Sequence, residues 1–99
     1  MRCPSAVPLI LAAALAACAS PSPEFFGVTP QRLDVEGTEI VVYHRGDRAQ
    51  AIRMGFARPG EHGVIIDRMI VAIEQTTGCR VPPGQTDGDS GVLNARLAC

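Results

Sequence analysis

The chain has 99 residues with four cysteines, nine arginines, no lysine and ten acidic residues, which leaves a net charge of −1 near neutral pH. That length supports one small domain, and the absence of a basic excess excludes the electrostatic footprint of a nucleic-acid-binding surface. Arginine used without lysine, beside ten glycines and eight prolines, reflects a bias of composition and is not in itself a sign of phosphate recognition.

Met1 and Arg2 give a minimal positive start, and Val7 to Ala17 are apolar apart from Pro8, the pattern of a signal peptide. Roughly ten apolar residues span about 15 Å as a helix, half of a hydrocarbon core, so removal is expected rather than a permanent span. The run closes on Leu15-Ala16-Ala17-Cys18, which resembles the lipobox of bacterial lipoproteins. The resemblance covers only the N-terminal segment up to Cys18, and it implies a diacylglyceryl group on the Cys18 sulfur with cleavage just before that residue. Ala17-Cys18-Ala19 also fits the small-x-small rule, which leaves secretory cleavage after Ala19, with a soluble product, as the alternative. Ala19 stands where such lipoproteins often carry an aspartate for inner-membrane retention, so the resemblance implies sorting to the periplasmic leaflet of the outer membrane. The expected divisions are a signal peptide over 1–17, a lipidated cysteine with a Ser/Pro-rich tether over 18–24, and one domain over 25–99.

Within that domain, Phe25-Phe26-Gly27 is expected to pack against the domain edge. Gln31 to Val35 and Thr38 to His44 are short β-prone runs separated by Glu36-Gly37, a two-residue hairpin signal. Ile40, Val42 and His44 fall on one face of the second run and Val41 and Tyr43 on the other. Gly46-Asp47 turns the chain again into Arg48 to Phe56, where Gln50, Ile52, Met54 and Phe56 alternate with Ala49, Ala51 and Arg53. The segment reads as a three-stranded meander.

Arg58-Pro59-Gly60 breaks the sheet. From about Gly63 the apolar spacing changes to three and four, through Ile66, Met69, Ile70, Ile73 and Thr77, which predicts an amphipathic helix. Gly78 suits the left-handed position past its end. The start is open, because Val64-Ile65-Ile66 also fits a strand and no N-capping side chain precedes it. Val81 to Gly91 reads as an irregular loop, and Leu93, Ala95, Leu97 and Cys99 alternate as a last strand. The predicted fold is α+β, a small antiparallel sheet with one helix on one face in the order βββαβ. With Cys3 removed and Cys18 spent on lipid, Cys79 and Cys99 remain, and in an oxidising compartment they are expected to pair. Their spacing is not Cys-x-x-Cys and no further ligand pattern accompanies them, so neither metal nor cofactor is expected.

Four short motifs have simpler readings. Gly88-Asp89-Ser90-Gly91 looks like the tetrad around the nucleophile of chymotrypsin-like proteases, but Val92 follows where another glycine is usual, and so short a domain cannot build two barrels. Asp87-Gly88-Asp89 begins like a calcium loop, yet Val92 replaces the sixth-position glycine and no glutamate takes the twelfth position; Asx-turn chemistry accounts for it. Arg45-Gly46-Asp47, an integrin-type tripeptide, already serves as a hairpin turn. His44 and His62 have no nucleophile pattern beside them in sequence.

The sequence therefore points to a lipid-anchored, periplasm-facing lipoprotein without enzymatic activity, an interaction or accessory subunit of the cell envelope. Its expected partners are the membrane, through the N-terminal lipid, and an envelope protein. Val41, Tyr43 and the aliphatic stem of Arg53 on the uncovered sheet face are the expected partner surface. The alternative is a ligand-binding module for an envelope lipid or glycan, using a groove between helix and sheet walled by Ile66, Ile70 and Ile52.

Overall fold

The structure, a computed structural model, describes residues 21–99. The predicted signal peptide, the lipobox and Cys18 lie outside the described residues. Among those described, five strands form one antiparallel sheet in the spatial order β1-β2-β3-β5-β4, and one α-helix packs on it. The strands are β1 (Gln31–Val35), β2 (Thr38–Arg45), β3 (Arg48–Arg53), β4 (Thr86–Gly88) and β5 (Val92–Arg96), with helix α1 (His62–Thr77) between β3 and β4. The α+β class, the meander and the single helix are those the sequence predicts.

The meander follows from its turns. Glu36-Gly37 sets Val35 opposite Thr38, and Gly46-Asp47 sets Arg45 opposite Arg48, because a two-residue loop fixes the register of its strands. The Asp34 Oδ1 atom accepts the Gly37 N–H at 2.8 Å and closes the first turn. Across β2, β3 and β5 the residues Val42, Ala51 and Leu93 stand in register, as do His44, Ala49 and Ala95. Three alanines on the central strands leave room for a closely packed helix.

Helix α1 fills that room with Ile65, Met69, Ala72 and Ile73, which are at most 2% exposed. The inward stripe is thus turned by about one residue from the one that Ile66 and Ile70 suggest; both are half-buried at the margin of the core. Neighbouring isoleucines at 65 and 66 make the periodicity ambiguous, and the small Ala72 decides it by allowing the helix to approach on its own side. Val64-Ile65-Ile66 is helical, and the helix starts at His62 with Glu61 at the N-cap and no capping side-chain bond. At the other end Gly78 takes φ 71° and returns its N–H to the Glu74 carbonyl at 2.9 Å, as a left-handed C-cap requires.

Several features differ from the expected layout: β3 ends at Arg53, short of Phe56, and β5 at Arg96, short of Cys99. Thr86–Gly88, read from the sequence as loop, is an edge strand on β5. It is three residues long and polar, so it carries no apolar alternation and is held by backbone pairing alone. Gly88 is obligatory there, with φ 121° and a space in which an added Cβ would meet the Val92 carbonyl oxygen at 2.2 Å. The chain also contacts the sheet earlier than Phe25. The Ser22 N–H donates to Gln50 Oε1 at 3.0 Å, and a 3-10 helix over Pro23–Phe25 follows. Phe25, 1% exposed, packs near Tyr43 with ring centroids 6.4 Å apart, while Phe26 is 59% exposed.

The Cys79 and Cys99 sulfurs are bonded, with Cα atoms 4.4 Å apart. Beside the bridge, Arg80 and Ala98 exchange reciprocal backbone hydrogen bonds of 3.0 and 2.8 Å. Among the described residues no helix is long and apolar enough to cross a membrane.

Candidate functional site

The sheet has two faces of different use. Residues opposite each other across antiparallel strands share a face, so Ile40 and Arg53, Val42 and Ala51, and His44 and Ala49 point toward α1. Val41 and Ile52, Tyr43 and Gln50, and Arg45 and Arg48 point away from it. Arg53 therefore does not join Val41 and Tyr43 in one surface, because β3 alternates Arg53 with Ile52. Val41 is only 8% exposed, and Tyr43 is half-buried beside Phe25. The partner surface expected from Val41, Tyr43 and Arg53 is corrected accordingly. The groove walled by Ile66, Ile70 and Ile52 does not form either, since Ile52 lies on the face away from the helix. Between helix and sheet, Ile40, Val42, Met69 and Ile73 fill the space at 1% exposure or less.

On the face away from α1, Gln50 anchors the start of the described chain. It is 1% exposed, and its side-chain amide is fully used: Oε1 accepts the Ser22 N–H, and Nε2 donates to Ser22 Oγ and Asn94 Oδ1, both at 2.7 Å. A buried amide satisfied at each atom fixes the N-terminal segment on the sheet. One strand step away stand Arg45, Arg48 and Arg96, directly opposite one another across β2, β3 and β5. Arg45 Nη2 donates to the Phe26 carbonyl at 3.1 Å, and Arg48 Nη2 lies 3.8 Å from Glu24 Oε1. Among the described residues Arg96 forms no ion pair.

A second polar cluster joins the end of β3, the start of α1 and the β4–β5 turn. Ser90, 6% exposed, has its Oγ 2.5 Å from His62 Nδ1 and accepts from Arg53 Nη1 at 3.4 Å. A serine hydroxyl against an imidazole is the first half of a nucleophile–base pair. Asp89 Oδ1 accepts the N–H groups of Gly91 and Val92 at 2.7 and 3.0 Å, and no hydrogen bond to His62 Nε2 forms among the described residues. The cluster acts as a brace that ties three elements through one buried hydroxyl. His62 and Ser90 are 28 residues apart, and no periodicity or motif announces their meeting. His44, half-buried, donates from Nε2 to the Gly46 carbonyl at 2.8 Å and closes its own turn. No group of three or more metal-ligating side chains occurs among the described residues.

The brace has a pH signature. Hydrogen bonds from the Val92 and Gly91 N–H groups hold the Asp89 carboxyl below its ordinary 3.8, with Arg53 and His62 adding to the effect against some desolvation. A carboxyl depressed in the folded state contributes stability above its unfolded pKa and loses it as pH falls through the lower folded value. Asp89→Asn, which keeps an acceptor oxygen but cannot ionise, is expected to flatten the fall in urea midpoint below about pH 4. A variant as acid-sensitive as the wild type would remove Asp89 from that transition.

Comparison of the chain with protein-family models, curated proteins and solved structures finds no match.

Proposed function

We propose that the protein is a small lipoprotein of the cell envelope, acylated at Cys18, anchored in the periplasmic leaflet of the outer membrane and acting as a non-enzymatic accessory subunit of an envelope protein. The observation that carries this reading is the position of Cys18: directly behind an apolar run and four residues ahead of Ser22, the first of the described residues bonded to the sheet. So short a link suits a domain held close to its membrane rather than one on a long leash. The bonded pair Cys79 and Cys99 supports an oxidising compartment such as the periplasm. An accessory role also agrees with a helix–sheet interface filled by side chains, which offers no enclosed chamber for a substrate.

The intact mass of the native protein taken from membranes, without reduction, tests this. The expected mass starts at Cys18, carries added acyl chains and lacks two hydrogens for the disulfide. An unmodified chain starting at Ser20 would make the protein soluble and defeat the anchored reading.

A further inference from the structure

We propose that the sheet face turned away from α1 lies flat on the headgroup layer of the anchoring membrane, with Arg45, Arg48 and Arg96 seated on the phosphates of anionic phospholipids. The proposal rests on acylation at Cys18 and adds to it an orientation and a lipid chemistry.

Three arginines directly opposite one another on adjacent strands are an unfavourable arrangement unless an anion accompanies them. Strands lie about 4.8 Å apart, and like charges directly opposite each other destabilise a sheet. Compensation within the described residues is thin. Glu24 is the one carboxylate among the described residues that pairs with the row; it stands 3.8 Å from Arg48, and both side chains are more than 40% exposed. Arg45 is occupied by a neutral carbonyl, and Arg96 has no ionic partner among the described residues. Two other acids of this face, Asp34 and Glu39, stand apart from the row at the far end of β1 and β2, where Glu39 is paired with Arg32 at 2.9 Å. Asp87, opposite Asn94 on the edge strand, lines a shallow cleft with Arg48 and Arg96 but forms no ion pair with either. Asp47 is at the hairpin tip beside the row.

Residues 21–99 carry eight arginines and ten acids, so the domain is acidic in sum, yet three of its arginines gather in this row. The α1 side carries both signs, Glu61, Asp67 and Glu74 with Arg53 and Arg68, so the arginine row itself is what an anionic surface attracts.

Chain geometry places the row where it can act. Four residue steps from Cys18 to Ser22 reach at most about 14 Å, and Ser22 is bonded to Gln50, two residues along β3 from Arg48. An acyl chain rooted in the hydrocarbon edge therefore holds this face at the headgroup layer, which is about 5–7 Å deep. Phosphate is a matching partner for guanidinium through paired hydrogen bonds.

The chain has one tyrosine and no tryptophan, so its intrinsic fluorescence reports Tyr43, which shares the face with the arginines. Full-length protein purified from membranes, its acylation first checked by mass, is reconstituted in vesicles of phosphatidylcholine alone and of phosphatidylcholine with phosphatidylglycerol. Acrylamide quenching of Tyr43 is expected to fall about twofold in the anionic vesicles, and to recover in high salt as the charges are screened. The double variant Arg45→Gln/Arg96→Gln is expected to quench equally in both. An unacylated mass defeats the anchor itself. Acylated protein that quenches equally in both vesicles overturns the docking alone, as does protection that survives high salt or persists in the variant.

Discussion

Cys99→Ala is expected to lower the stability of the domain by about 3 kcal/mol and its melting midpoint by on the order of 10–20 °C. The bridge joins residues separated by 20 in sequence, and on the chain-entropy account a closed loop of that size removes this much freedom from the unfolded chain. Its position raises the stakes. Cys79 follows directly on the Gly78 cap of α1, and Cys99 lies in the segment that leaves β5, so the bond ties the helix to an interior strand of the sheet, between β3 and the edge strand β4. Without it, that corner is held by the two hydrogen bonds between Arg80 and Ala98, by those from Val81 to Glu74 and from Leu97 to Asp47, and by Leu97 and Val81 against the core, and a domain of this size has little core to spare. Cys79→Ala removes the same bond, so the double variant is expected to be no less stable than either single one, and strong reductant is expected to bring the wild type to the same level. Urea unfolding of the four proteins decides this; losses under about 1 kcal/mol would show that the backbone pairing suffices.

The elements legible in the sequence were those set by local rules. Glu36-Gly37 and Gly46-Asp47 each fix two strands at once, so the meander and its register follow from four residues. Gly78 marks the helix end, and the cysteine pair follows from arithmetic. Alternation along β3 already put Arg53 with Ala49 and Ala51, opposite Ile52, which separates it from the face of Val41 and Tyr43. What was hidden depends on distant pairing. The Arg45 and Arg48 neighbours can be read from their shared turn, but Arg96 joins the row only through the β3–β5 register, for which no local signal exists. The same holds for Ser90 and His62, brought together across 28 residues. Polar, three-residue β4 lies below the reach of pattern altogether.

The rotation of α1 about its axis is the other point that periodicity left open, and a core truncation reads it out. Met69→Ala is expected to cost about 2–5 kcal/mol, and Ile65→Ala a comparable amount, whereas Val64→Ala, on the same helix at 48% exposure, is expected to stay within about 0.5 kcal/mol. Met69 is fully buried in the inward stripe between Ile65 and Ile73, in the cluster that includes Ala49, Ala51 and Ala95 of the sheet. Those alanines are already the smallest side chains that pack, so the sheet has nothing with which to fill the space a truncated Met69 leaves. The cavity persists, and its cost adds to the lost transfer free energy. Ile66→Ala separates the two possible rotations: half-buried at the core margin, it is expected to cost clearly less than Ile65→Ala. Urea unfolding with an unchanged m-value is the measurement. A larger loss at Ile66 than at Ile65 would mean that the helix presents the face its sequence period first suggests, with Ala72 turned away from the sheet.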